Sequence, residues 1–446
     1  MASTYLKRTN GTPTNDKIGT ISVWVKRSKL GTDQRIHMNF ADGSNYAYLR
    51  FTEGDLIEVY GVASGSQSTQ IRTNRVFRDT NAWYHIVLAI DTTQGTSTDR
   101  IKIYVNGVQE TSMGTTDYWG QNETCQLLIA SGSNYHTVGS AENGSSSFDG
   151  SMSHYHKCDG TALAPTVFGE TDSTTGEWKI KTNVSFTPGN NGYTILKDGN
   201  TITDQSANSN DFTLGAGTLT KTEDCPSSVF NTFNANFQEG GGVLSNGNTT
   251  YYNASTSNWY TAASNLAASV GKYYCELKIT DATNNMVGVG DMQYLVARGQ
   301  NSLTHIGALN PGGVGLYNDN GEKYLQGSNT TYAASYGDGD ILSIALDMDN
   351  DKVYFAKNGD WSTGSGAWGS STFDAAVGAI TLPTTNATYG FASSQRNDAK
   401  AEWNFGNGYF GTTAVSSAGT NASGNGIFEY DVPTGYTALS TKGLNL

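Results

Sequence analysis

Proline is scarce in this chain, 7 of 446 residues, and charged side chains make up only 15%. Cysteine occurs four times, at Cys125, Cys158, Cys225 and Cys275, with no CxxC pair. Thiols so scattered make neither a zinc ribbon nor a disulfide framework, and they read as reduced structural residues. No apolar run approaches membrane-spanning length, and the opening MASTYLKRTNG has no apolar signal core, so a cytosolic place of synthesis is expected. Sequons such as Asn122, Asn253 and Asn329 then reflect composition rather than glycosylation. There is no basic block. The net charge of −13 opposes phosphate backbones and anionic bilayers, which argues against nucleic acid and membrane insertion. Long heptads and Gly-X-Y tracts are also missing, so no fibre shaft is encoded.

What is present is glycine (53 residues), with 25 Tyr, 16 Phe and 8 Trp spread along the chain. Disordered chains lack such aromatics, so short strands joined by small polar turns are expected, in an all-β protein. The period-two pattern is plainest around Gly339 to Trp361. Leu342, Ile344 and Leu346 alternate with Ser343, Ala345 and Asp347; a turn follows, then Lys352 to Lys357, then Asn358-Gly359. The same grammar occurs at WYHIVLAID, with Ile86, Leu88 and Ile90, followed by IKIYV and Asn106-Gly107. Two copies so far apart predict two antiparallel β-sandwiches.

Four segments are expected. Over residues 1–182, TISVWVKR, WYHIVLAID, IYVNGV and FDGSM…ALAPTVFGE resemble a LamG, or concanavalin A-like, jelly-roll domain. Residues 183–239 read as an ordered connector. Over 240–411, GKYYCELKI, the GLYND step, GDILSIALDMDNDKVYFAKNG and NFGNGYF resemble a SPRY domain, with Cys275 where that family usually carries Trp. Residues 412–446 read as a tail that packs back onto the body. The first resemblance implies sugar or protein binding through loops, in some members with calcium. No cluster of Asp and Asn ligands stands out, so no metal and no cofactor is assigned.

Several constellations carry possible chemistry. Glu53, Asp55 and Glu58 have the ExDxxE spacing of endoglucanases that share the concanavalin-like fold. But Glu-Gly-Asp is also a good turn, and the turn is the preferred reading. His154, His156 and Cys158 alternate as a strand would align zinc ligands, without an evident fourth. Packing is the preferred reading there too. No Gly-x-Ser-x-Gly elbow occurs, and catalysis is not expected. Aromatic residues set among polar loops remain: Tyr118-Trp119, Tyr251-Tyr252, Trp259-Tyr260, Trp361 and Trp368. Tyr251, Trp259, Tyr260, Trp361 and Trp368, with Asn258 and Asp360, would form a ligand-binding patch if their loops converge.

The combination of both domains with DQSANSNDF and VPTGYTALSTKGL resembles virion proteins of marine bacteriophages. That resemblance implies a structural protein, a tail fibre, appendage or capsid decoration, assembled in the host cytoplasm. Its partners would be other virion proteins, further copies of itself, and a glycan or protein on the host surface. The alternatives are a scaffold or joint with no host ligand, and a glycan hydrolase.

Overall fold

A computed structural model describes residues 4–130, 135–197, 199, 201–238, 240–255, 257–298, 304–308 and 312–445. The chain forms two compact units, Met1–Lys221 and Thr222–Leu446. It is almost all β, built of antiparallel sheets.

In the first unit an eight-stranded sheet faces a six-stranded one. The eight-stranded sheet runs Met113–Asp117, Ser66–Val76, Leu56–Ala63, Asn45–Phe51, Gln34–Asp42, His136–Val138, Tyr5–Arg8, Thr213–Ala216. The six-stranded sheet is centred on Ile18–Arg27, between Gly150–Asp159 and Trp83–Asp91. Strand alternation points Ile21, Val23, Val25, Ile86, Leu88 and Ile90 from one sheet at Ala47, Leu49, Phe51, Ile57, Val59 and Ile71 of the other.

The second unit pairs a seven-stranded and a ten-stranded sheet. Lys272–Asp281, Ile341–Asp347 and Lys352–Lys357 lie side by side in the larger sheet, and Asn285–Asp291 with Tyr389–Gln395 in the smaller. Leu342, Ile344 and Leu346 point inward as their alternation requires, onto Val287, Val289 and Phe391. Both Asn-Gly turns form. Asn106 and Asn358 take left-handed φ of 50°, which asparagine tolerates.

The division between the two units falls between Lys221 and Thr222, within the residues expected as a connector. Residues 183–221 complete the first unit: Tyr193–Ile195 pairs with Gly150–Asp159, and Thr213–Ala216 with Tyr5–Arg8. Phe233–Gln238 starts the second unit's smaller sheet. The tail is docked: Thr437–Ala438 pairs in parallel with Lys272–Asp281, and Phe428, Val432 and Tyr436 are buried against Tyr274 and Tyr354.

Candidate functional site

The carboxylates of the first unit are already engaged. Leu56–Ala63 begins only after the turn, so Glu53 is exposed and Asp55 occupies a left-handed turn position (φ 62°). Arg27 Nη2 donates to Asp55 Oδ1 at 3.0 Å and Arg78 Nε to Oδ2 at 2.9 Å. Glu58 is fully buried and accepts from Arg50 Nε (2.6 Å), Arg72 Nε (2.8 Å) and Gln70 Nε2 (2.8 Å). Burial pushes the Glu58 carboxyl up, but the donors outweigh it and hold it below the usual range. A carboxylate held ionised by two guanidiniums cannot donate the proton that glycoside cleavage needs.

The His154, His156 and Cys158 alignment is broken. The register slips between Ser153 and His156, and His154 takes φ 47°. His156 is instead stacked on Phe168 and bonded to Thr194 Oγ1 (2.9 Å), while the Cys158 thiol donates to the Thr187 carbonyl. Among the described residues no group of three His, Cys, Asp or Glu side chains is placed to hold a metal ion. Trp119 is fully buried, its Nε1 donating to Gln126 Oε1 (3.0 Å), and Tyr118 packs at the core margin.

In the second unit the seven expected residues do not form one patch. Tyr251 is fully buried between the sheets because Thr250–Asn253 is a strand whose alternation turns it inward. Tyr252, its outward neighbour, donates to Asp398 Oδ1 (2.9 Å). Trp361 is 8% exposed and packs edge-on to Phe373 (4.8 Å), in the layer beneath the docked tail. Trp368 is half-buried and spends its Nε1 on the Ala334 carbonyl (3.0 Å). Asp360 is exposed on the same hairpin. Tyr260 lies over the backbone of Gly241, and Asn258 accepts from Asn253 through its carbonyl.

Trp259 sits in different company. It precedes Tyr260–Ser264 and lies on the outer side of the seven-stranded sheet. Its half-buried ring meets Tyr317 (5.9 Å) and His305 (5.4 Å) edge-on, with Arg396 Cζ 5.3 Å from the ring centre. Tyr324 closes the group, 5.0 Å from His305 and 6.0 Å from Tyr317. Asn284 Oδ1 accepts from the Tyr317 hydroxyl (2.9 Å) and from Arg396 Nη2 (3.2 Å), tying aromatic and cation together. The arrangement combines ring faces and edges with amide and guanidinium donors, the chemistry that reads sugars and peptides. Apart from Trp259, these residues were not among the expected ones. The signal is the register of GVGLYNDNGEKY, which pairs Gly315 with Tyr324 across the hairpin.

Residues 2–167 match the concanavalin A-like lectin/glucanases superfamily, and residues 272–391 match the SPRY domain. The chain carries a concanavalin A-like domain and a SPRY domain. Similar solved structures include the SPRY domain of human HERC1, with 15% identity, 38% of this chain and 96% of that chain covered, and a TM-score of 0.29. A human SPRY domain (16%, 37% and 94%, TM-score 0.27) and the TRIM65 PSpry domain (12%, 39% and 89%, TM-score 0.29) are also similar. No curated protein matches the chain. The Trp259 group belongs to the SPRY unit, with Tyr317 and Tyr324 inside the matched span and Trp259 and Arg396 just outside it.

Proposed function

We propose that this chain is a non-enzymatic binding protein of a bacteriophage particle, with the SPRY domain as the reader of a host-surface glycan or protein. The observation that carries the reading is the Trp259, Tyr317, Tyr324, His305 and Arg396 group, aromatic and half-buried on an outer sheet face. The engaged state of Asp55 and Glu58 supports a non-enzymatic role, and the net charge of −13 directs the reader toward neutral glycans or proteins. The placement in a virion, as fibre, appendage or capsid decoration, is supported by the whole-chain sequence resemblance, as are assembly in the host cytoplasm and contacts with other copies and other virion proteins.

A scaffold that docks through its C-terminal tail needs apolar side chains free on that tail. Its main apolar side chains, Phe428, Val432 and Tyr436, are already buried within the chain's own second unit.

The test is adsorption of particles carrying Trp259→Ala or Tyr324→Ala to host cells, with folding checked by thermal melting. Each truncation is expected to weaken attachment by about 1–2 kcal/mol, roughly ten-fold. Unchanged adsorption by a folded variant would leave the chain as scaffold. Absence of the chain from purified particles would remove the virion assignment.

A further inference from the structure

On the outer side of the first unit's eight-stranded sheet, cross-strand register sets Phe40, Tyr46, Tyr48 and Tyr60 side by side. Tyr48 and Tyr60 are 5.3 Å apart and within 22° of parallel; Tyr46 lies 6.4 Å from Tyr48 and 6.5 Å from Tyr60. Phe40, Tyr46 and Tyr60 stay half-exposed. The outward residues of a strand are ordinarily polar, so a block of four rings there is a surface with something to cover it.

The charges around the rings are matched within the chain, with two left over. Arg72 is held by Glu58, and Arg50 is shared between Glu58 and Asp33. Arg35 forms no ion pair among the described residues. Its guanidinium lies 3.9 Å from the centre of the Tyr48 ring, and its Nη1 reaches only the Met38 sulfur (3.0 Å). The second leftover charge is Glu142, which has no ion pair and no side-chain hydrogen bond among the described residues. Its neighbour Ala141 is buried against Met38 and Tyr48, which sets the acid at the rim of the face. There it acts electrostatically on Arg35 and Tyr46 without bonding either. The arginines Arg35, Arg50 and Arg72 against Asp33, Glu58 and Glu142 leave this face neutral in a chain of net charge −13.

We propose that this face is the contact between two copies of the chain, packed face to face about a two-fold axis, with Arg35 of each copy against Glu142 of the other. A two-fold axis makes one patch meet itself, so the patch must carry its own complement. A spare cation and a spare acid side by side meet that condition: the axis sets each opposite its counter-charge, and the rings fill the space between. A different protein would have to supply both charges in matching order, whereas a second copy brings them. Neutrality matters as well, because two chains of charge −13 repel wherever their acidic surfaces meet. Four strands at a spacing of ~4.8 Å, each about eight residues long at ~3.4 Å per residue, offer roughly 500 Å² per copy. That is the low end for a specific interface, so a weak dimer is expected, with a Kd of about 10–100 µM. The contact gives a surface to the meeting of copies proposed above, but it rests on the geometry of the face and not on the virion assignment.

Sedimentation velocity of the purified full chain, from about 1 to 300 µM, tests this. The wild type is expected to show a reversible monomer–dimer equilibrium in that range. Arg35→Glu and Glu142→Arg, each checked for folding by thermal melting, are each expected to weaken it about ten-fold or more. An equimolar mixture of the two variants is expected to recover the wild-type dimer, because under a two-fold axis each copy then offers the charge the other lacks. A chain that is monomeric throughout the range overturns the proposal. So does a dimer that a folded Glu142→Arg leaves intact, or a mixture of the two folded variants that stays monomeric. If Arg35→Glu does not fold, Glu142→Arg decides alone, since it lies on the turn closed by the Ala141 amide and the Ser145 carbonyl. None of these outcomes bears on adsorption through the Trp259 group, which lies in the other unit.

Discussion

The two sandwiches share one turn and differ in what they bury. In each, an Asn-Gly pair ends a central hairpin strand, and the asparagine reaches back across to the strand before it. Asn106 Oδ1 accepts from the His85 amide and Asn358 Oδ1 from the Ile341 amide, both at 2.8 Å. Beyond this device they diverge. The first unit buries histidines that are kept neutral. His85 Nδ1 accepts from Trp178 Nε1 (3.0 Å), so that nitrogen carries no proton. The second unit buries Glu276, whose carboxylate takes the amides of Glu429 (2.7 Å) and Tyr430 (2.8 Å) and the Tyr274 hydroxyl (2.9 Å). That carboxylate belongs to a sheet face covered by the tail, whereas on the outer side of the first unit's eight-stranded sheet Tyr46 and Tyr60 stay half-exposed. An outer sheet face is thus either sealed by the chain's own later residues or left in part to solvent.

The contrast predicts opposite responses to pH, and the largest expected effect is acid weakening of the first unit. Burial holds His37, His136 and His156 well below 6.5 and His85 at about 3. Each folded pKa is depressed, so the unfolded chain binds more protons below 6.5. The stabilisation is full above 6.5 and is lost as pH falls toward the folded values. At pH 5.5 this amounts to about 1 kcal/mol per histidine. Hydrogen exchange followed separately in each unit reads it; equal protection of residues 18–27 at pH 7.5 and 5.5 would contradict it.

Next in size is Glu276→Ala, which strands two tail amides and is expected to cost the second unit on the order of 3 kcal/mol in urea unfolding. Wild-type Glu276 is pushed up to about 7 by burial. Its folded pKa lies above the unfolded one, so its stabilisation is complete below about 4.5 and lost as pH rises through 7. The wild-type second unit should therefore soften between pH 5 and pH 8, and Glu276→Gln should flatten that slope.

A smaller effect, of opposite sign, is expected from Lys157→Met. Lys157 is fully buried, donates to the Leu127 carbonyl (3.2 Å), and is pushed down to about 8 by burial. Replacing the amine with a thioether of similar length should stabilise the first unit by roughly 1 kcal/mol at pH 7, read as a higher urea midpoint. Smallest is the shared turn: Asn106→Ala and Asn358→Ala should each cost about 1 kcal/mol, since alanine loses the cap and resists positive φ. Unequal losses at the two turns would mean that the likeness is only geometric.

The fold was legible because alternation is a local property. Ile86, Leu88 and Ile90, or Leu342, Ile344 and Leu346, declare an inward face without knowledge of any neighbour. The site was much less so. Tyr251 and Trp361 stand among polar residues in the sequence, yet both are buried: a short strand turns one inward and the tail roofs the other. Tyr317 and Tyr324 looked like ordinary hairpin residues, and only the pairing of Gly315 with Tyr324 shows that they share an outer face with Trp259. The engagement of Glu58 was out of reach as well, because cross-strand register is what sets Arg50 and Arg72 against it. The broken His154 alignment has the same origin, because a one-residue bulge cannot be read from a period of two.

The pairing of Tyr5–Arg8 with Thr213–Ala216 sets a clock. The Thr213 hydroxyl that meets the Lys7 carbonyl is made 206 residues later. At about 5–20 residues per second of synthesis, that edge of the sheet waits roughly 10–40 seconds for its last strand. Glu276 waits 153 residues for its Glu429 partner. During translation the first sandwich therefore presents an unfinished edge, and the second an uncovered face, to neighbours on the polysome, and crowding of nascent copies is the moment at which this protein is most exposed to mispairing with itself.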